Sequence, residues 1–282
     1  MGKVLIIGAR GMLGQEIAKV FKDSNPLLWD KKEIDVTNQR QVNRLIVDKS
    51  PDLIINAAAY TNVDSSESNQ RLAYQVNGKA VGYLSETASE IGAVFVHYSS
   101  DYVFSGENEQ GYRESDQPSN PVNIYGQSKI LGEKLLQDNC KRHYLIRSSG
   151  LFGKYGKNFV DIILELVKRQ KQVKVVNDQF FKPTYASDLA KATKELVNKK
   201  HKFGIYHLTN EKAVNWYDFA KEICRVYSDL NRAELEEIRP CLSKEFPRPA
   251  KRPKYSILLN TKIKPLRPWP EALREYLKDR SI

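Results

Sequence analysis

The chain has little of what staples small or metal-dependent proteins together. Its 282 residues include three cysteines (Cys140, Cys224, Cys241) and four histidines (His97, His143, His201, His207). They are scattered, with no C-x-x-C and no H-E-x-x-H. That argues against a zinc site, and no metal is assigned; it also argues against a disulfide framework. No apolar run approaches the roughly 18 residues of a membrane span, so no membrane partner is expected. The N-terminus runs directly into Lys3-Val4-Leu5-Ile6-Ile7-Gly8, without the apolar core and cleavage site of a signal peptide. A reducing cytoplasm is the expected location.

What is present is ordinary for a globular chain: 41% hydrophobic and 28% charged residues, at a length that suits one large or two modest domains. The net charge of +11 is uneven. Residues 239–282 carry 12 Lys/Arg against 4 Asp/Glu, a local +8. No nucleic-acid module accompanies this excess, and aromatics are not interleaved with it for base stacking, so nucleic acid is not an expected partner. The stretch suits a phosphorylated small molecule or plain solubility.

Residues 4–7, 27–29, 53–59, 93–99 and 144–147 read as buried strands. Between them, 14–21, 38–48, 71–92 and 125–138 read as helices. Such alternation forces parallel strands and crossover connections. The predicted fold is α/β: a Rossmann-type doubly wound parallel sheet with a smaller C-terminal α/β substrate lobe. Residues 1–147 form the expected dinucleotide-binding domain, with about 171–202 returning to it, and 148–282 mainly the substrate lobe. There, helices are predicted at 158–169, 186–198, 216–227 and 271–278, and strands at 174–176 and 204–208. Ser187-Asp188 is the expected cap of the helix from 186.

Gly8-Ala9-Arg10-Gly11-Met12-Leu13-Gly14 is G-x-x-G-x-x-G between a buried strand and a helix. Gly8 permits the turn, Gly11 lets the backbone approach a pyrophosphate, and Gly14 lets helix and strand pack closely. The helix N-terminus then faces the phosphates. Asp30 follows the second strand, where a carboxylate accepts from ribose hydroxyls and favours NADH. Lys31 and Lys32 follow at once and suit the 2′-phosphate of NADPH. The signals conflict, and the sequence leaves NADH or NADPH open. Asp35-Val36 falls where an adenine would rest, or else joins Thr37-Asn38 as a helix cap. Met12, Leu13, Ala58, Ala59 and Tyr60 complete the expected cofactor contacts.

Tyr125-Gly126-Gln127-Ser128-Lys129 is Y-x-x-x-K, which puts both functional side chains on one helical face. An ammonium beside the phenol is expected to lower its pKa and make Tyr125 a general acid or base. Ser99-Ser100-Asp101 ends the fourth strand, at the sheet edge where ligands bind. A Ser100 hydroxyl there would meet Tyr125 over a substrate oxygen.

In this order the three motifs resemble the extended short-chain dehydrogenase/reductase superfamily and, within it, the dTDP-4-dehydrorhamnose reductases. The resemblance covers nearly the whole chain. It runs through residues 56–64 (NAAAYTNVD), 97–104 (HYSSDYVF), 121–129 (PVNIYGQSK), Asn177-Asp178-Gln179 with Pro183-Thr184, Arg248-Pro249, and the terminal Trp269-Pro270-Glu271-Ala272-Leu273. It implies reduction of the C4 ketone of a dTDP-4-dehydro-L-rhamnose substrate by NADPH or NADH. Tyr125 would donate the proton, Lys129 would hold the nicotinamide ribose, and Ser100 would polarise the ketone. Asp101 and Arg248 would join Ser100 and Tyr125 on the substrate, with Arg248 and Lys251 meeting its diphosphate. Some members bridge a homodimer with Mg²⁺ through a glutamate on the first helix. Glu16 lies near that position, but its partner ligands are not identifiable. The chain departs from the family on the sugar side: Gly150 replaces a tryptophan, and Phe181 replaces a glycine and could rebuild an aromatic wall. Two other functions share the fold. One is a non-catalytic regulatory subunit similar to the methionine adenosyltransferase β subunit. The other is an epimerase or dehydratase of another nucleotide sugar; a dehydratase is disfavoured because Tyr102, not glutamate, follows Asp101.

Overall fold

A computed structural model describes residues 2–169, 172–232, 235 and 237–280. Met1, residue 171 and Ile282, which bound expected segments, lie outside it. The first half alternates β1 (Val4–Ile7), α1 (Met12–Val20), β2 (Leu27–Trp29), α2 (Gln39–Lys49), β3 (Leu53–Asn56), α3 (Val63–Ser68), α4 (Gln70–Tyr74), α5 (Ala80–Glu90), β4 (Val94–Ser100), α6 (Ile124–Asn139) and β5 (His143–Ser148). The remainder comprises β6 (Leu151–Phe152), α7 (Phe159–Arg169), β7 (Gln172–Val176), β8 (Phe180–Phe181), β9 (Thr184–Tyr185), α8 (Ala186–Asn198), β10 (Gly204–His207), β11 (Val214–Asn215), α9 (Trp216–Asn231), β12 (Glu237–Cys241) and α10 (Trp269–Arg280).

Six strands form one all-parallel sheet in the order β10-β5-β4-β3-β1-β2. Side chains alternate between its faces. Val4, Ile6, Ile55 and Val96 pack under α1 and α8 with Ile17 and Leu189. Leu5, Ile7, Ile54 and Phe95 pack under α2, α5 and α6 with Val42, Leu84 and Leu136. Both faces are thus covered, which is why these strands read as unbroken apolar runs. The chain leaves β1 towards β2 on one side and β3 on the other, so the carboxyl ends of β1 and β3 flank a topological switch point.

A smaller lobe packs α7, α9 and α10 around β7 and β8, with Phe152, Phe181, Phe219 and Trp269 in its core. The chain passes back and forth between the lobes. What returns to the large sheet is α8 and β10; β7, near the start of the expected returning segment, pairs with β12 instead.

Three local expectations are corrected. The strand expected to reach residue 59 ends at Asn56, because Ala57–Ala59 peel away as cleft lining. The helix expected over 71–92 is interrupted by a π turn, Gln75–Lys79, and preceded by an unforeseen α3. Ser187 and Asp188 lie inside α8, whose cap position is Tyr185; Asp188 is instead paired with Arg267 at 2.8 Å.

Candidate active site

The turn after β1 is built as its glycines require. Gly8 has φ +77°, and a Cβ there would stand 2.6 Å from Ala58 N. Buried Gly14 lets α1 cross the turn: its Cβ would meet Gly8 O at 2.0 Å. Above them runs a cleft of about 1050 Å³. Gly8, Gly11, Met12, Leu13, Asp30, Asp35, Val36, Ala58, Ala59 and Tyr60 all line it, as do Ser100, Asp101, Tyr125 and Lys129. Gly14 supports the turn from beneath. Asp35 Oδ1 accepts from Thr37 N and Oγ1 at 2.9 and 2.7 Å, while the cap of α2 is Asn38 alone, accepting from Gln41 N.

The π turn has a use here. It aims Asn77 at the wall of the cleft, where Oδ1 accepts from Tyr60 N (2.8 Å) and Nδ2 donates to Tyr60 O (3.0 Å) and Ser128 Oγ (3.1 Å). π turns recur at functional sites for such re-aiming.

Tyr125 and Lys129 ride the first turns of α6. Its N-terminus is capped by Asn123, which accepts from Gly126 N at 2.8 Å, and by Glu67 of α3, which accepts from Ile124 N at 2.9 Å. Lys129 is buried, and its Nζ donates to Tyr98 O at 2.9 Å. Burial pushes its ammonium down to about 8. Tyr125 moves the opposite way from the sequence expectation. Burial raises its phenol to about 12; the hydroxyl of Ser100 pulls it back and the Asp101 carboxylate adds to the rise. The reason is desolvation: burial of the phenol outweighs the Ser100 hydroxyl.

Asp101 is a buried carboxyl held by hydroxyls. It accepts from Ser100 Oγ at 2.9 Å and Ser149 Oγ at 2.7 Å, with Ser256 as a third partner. Burial holds its pKa above the ordinary carboxylate value. Ser149 and Ser256 were not singled out by sequence reasoning, since they lie 48 and 155 residues from Asp101 and belong to no short motif.

A smaller cavity, about 140 Å³, opens beside this group. Ser100, Asp101, Tyr125 and Gly150 line both cavities, so the hydroxyl pair stands where they meet. On the far side are Phe180, Phe181, Trp216 and Pro253. Phe181 stacks on Trp216 with centroids 3.8 Å apart, and the two rings line this cavity together. Trp216 was missed because it belongs to the start of α9, far from any motif.

Arg248 lines neither cavity in this structure. It is half-exposed and paired with Asp64 at 2.8 Å, and Arg252 shares the same carboxylate at 2.6 Å. The two guanidiniums hold the Asp64 carboxyl at about 2 against its burial.

The cleft suits a nicotinamide dinucleotide by two marks besides its glycine cradle. Ser99 Oγ and Ser148 Oγ, both lining it, are buried hydrogen-bonding atoms with no partner in the protein. Magnesium fares differently. Glu16 Oε2 is buried and unpartnered, but among the described residues no three acidic, histidine or cysteine side chains gather to hold a metal. A magnesium site built from the described residues of one chain alone does not fit.

The family model of the RmlD substrate binding domain matches residues 2–282. This chain belongs to that family. A relative from Bacillus subtilis (strain 168), the spore coat polysaccharide biosynthesis protein SpsK, is 40% identical and covers 100% of this chain and 99% of its own. The dTDP-4-dehydrorhamnose reductase of Aggregatibacter actinomycetemcomitans is 39% identical over 93% of this chain and 92% of its own. The crystal structure of dTDP-4-dehydrorhamnose reductase from Bacillus anthracis in complex with NADP superposes with a TM-score of 0.92, at 33% identity and 99% coverage of both chains. The RmlD family fold is the doubly wound sheet with its added lobe, as expected from the sequence. No described helix is long and apolar enough to cross a membrane.

Proposed function

We propose that the chain is an NAD(P)H-dependent oxidoreductase that reduces the C4 ketone of dTDP-4-dehydro-L-rhamnose to give dTDP-L-rhamnose. The observation that carries this is the shared boundary of the two cavities: Ser100 and Tyr125 face both the dinucleotide cleft and the smaller pocket. A ketone seated there meets two hydroxyls on one side and the cofactor cleft on the other.

When bound, the dihydronicotinamide supplies the hydride. The protein's own part is to move one proton and to hold charge. Tyr125, with its phenol at about 12, is protonated at neutral pH and is an acid by default. Its O–H gives its proton to the carbonyl oxygen as that oxygen gains negative charge. Ser100 lies beside Tyr125, and its single proton, held by Asp101 in this structure, turns to the same developing oxyanion. Lys129, close by on the same helical face, stabilises the phenolate left behind. Asp101 fixes Ser100 and offers its remaining acceptor capacity to a sugar hydroxyl.

The diphosphate is assigned to the basic segment. Arg248 is exposed enough to leave Asp64 for a phosphate, and Lys251 stands beside it. We retain cytoplasmic location and a homodimer as parts of this reading. The experiment is NADH and NADPH oxidation with dTDP-4-dehydro-L-rhamnose and other 4-keto sugar nucleotides, with product identification. Turnover of the rhamnose precursor is expected; binding of cofactor without turnover of any of them would favour a regulatory role.

A further inference from the structure

Asp30 and Lys31 oppose each other at the adenosine end of the cleft, and the structure brings a third residue to the same edge. Arg10, third in the glycine turn, donates its backbone N–H to Asp30 Oδ2 at 3.1 Å. Its side chain therefore leaves the turn beside Asp30 and Lys31, which line the cleft. An arginine at this edge is the group suited to accommodate a ribose 2′-phosphate, because its planar fork matches phosphate oxygens.

Here that fork is occupied. Arg10 Nη1 donates to Glu33 Oε2 at 3.0 Å and Nη2 to Glu33 Oε1 at 2.7 Å. Glu33 is fixed in turn: its Oε2 accepts from Asp30 N at 2.8 Å, and its backbone N–H donates to Asp30 O at 2.9 Å. Asp30 Oδ1 accepts from Lys31 N at 2.7 Å. Residues 30–33 thus form one turn that presents a carboxylate to the ribose and holds the nearby guanidinium on a second carboxylate.

We infer that Glu33 determines cofactor preference by withholding Arg10 from a 2′-phosphate, so that this cleft takes the ribose diol of NADH ahead of the phosphorylated ribose of NADPH. The inference rests on the reading of the cleft as a dinucleotide site. Its size is set by exposure. Arg10 and Glu33 lie at the surface, where ion pairs are weak, so the preference is about threefold to tenfold rather than absolute. NADPH still binds once the pair opens, with Lys31 as a further cation.

The test is equilibrium titration of the full chain with NADH, NADPH, 2′,5′-ADP and 5′-AMP, followed by calorimetry. NADH is expected to bind about threefold to tenfold more tightly than NADPH. Glu33→Gln keeps a carbonyl acceptor for Asp30 N–H and removes the charge. It should tighten NADPH and 2′,5′-ADP by a similar factor while NADH and 5′-AMP stay within about twofold. Arg10→Ala alone should leave NADH unchanged, and added to Glu33→Gln it should abolish the gain. Equal or tighter NADPH binding by the unaltered chain, or no NADPH response to Glu33→Gln, overturns the inference while the dinucleotide reading stands. Binding of neither dinucleotide nor either fragment overturns both.

Discussion

The ring edge of Phe181 stands 2.3 Å from the point where a Cβ on Gly150 would sit. The two positions are therefore a matched pair: an aromatic ring from β8 fills the place that a side chain after β5 would take.

Gly150 also has φ +51°, a left-handed conformation that costs a non-glycine residue about 1–3 kcal/mol. Gly150→Ala is expected to destabilise by at least that amount, and Phe181→Leu in the same chain to recover part of the loss. Urea denaturation of the double-mutant cycle reads the coupling; strictly additive effects would show that the two residues do not compete for space.

Tyr125→Phe deletes the phenol hydroxyl and keeps the ring. Turnover is expected to fall by about 10²–10⁴-fold, with NADH affinity within about twofold. Near-native kcat in this variant would remove Tyr125 as the proton donor.

The pH profile separates Tyr125 from Lys129. Raising the pH through about 8 removes the Lys129 charge, while Tyr125 keeps its proton until about 12. An alkaline fall in kcat/KM is expected near 8 and should move upward in Lys129→Arg. Stability runs the other way. Lys129 holds its proton less well folded than unfolded, where its pKa is 10.5. Between these values the unfolded chain carries more protons, so this residue's contribution to stability rises with pH. A fall only near 12 would assign the limb to Tyr125.

Asp64 anchors Arg248 and Arg252 together, and Asn123 Nδ2 donates to Lys251 O at 2.8 Å, so residues 248–252 are strapped to α3 and to the start of α6. Asp64→Ala frees Arg248 but also unfastens Arg252 and the Ala250 backbone, and loss of the strap is expected to outweigh the freed cation. KM for the nucleotide sugar should rise by about threefold to tenfold with cofactor affinity unchanged. Initial rates under varied substrate give the answer; an unchanged KM would mean the strap does not shape the substrate site.

Beneath β5, Arg147 and Glu133 form a fully buried pair, with Nε and Nη2 donating to the two carboxylate oxygens at 2.9 and 2.7 Å. Glu133→Ala would strand a buried guanidinium beside His207. The expected loss is about 3–5 kcal/mol, measurable by denaturant unfolding. A loss below about 1 kcal/mol would mean that water or His207 takes over the charge.

The glycine turn, Ser100-Asp101 and Tyr125–Lys129 were legible in the sequence because each is a local spacing whose geometry one strand end or one helical face dictates. The alternation of elements gave the sheet for the same reason. What stayed hidden depends on partners distant in the chain. Asn77 needed the π turn, Asp101 its serines, Asp64 two arginines more than 180 residues away, and Phe181 its stacking partner Trp216. The direction of the Tyr125 shift was also hidden, because sequence spacing places Lys129 nearby but says nothing of how much water the fold excludes. Ser187-Asp188 had the chemistry of a cap, and a tertiary arginine claimed the aspartate instead.

The passage of the chain through the second lobe between β5 and β10 bears on how it emerges from a ribosome. β5 is complete at Ser148, yet its outer neighbour β10 arrives only at residues 204–207, after the chain has passed through the second lobe. Until then the growing sheet ends in an uncovered row of backbone donors and acceptors flanked by Leu145 and Ile146, the kind of edge that pairs with other chains. A product cut or stalled between 148 and 204 keeps that edge for good. Such fragments should aggregate or be held by chaperones, even though they contain the whole glycine turn, Ser100-Asp101 and Tyr125–Lys129.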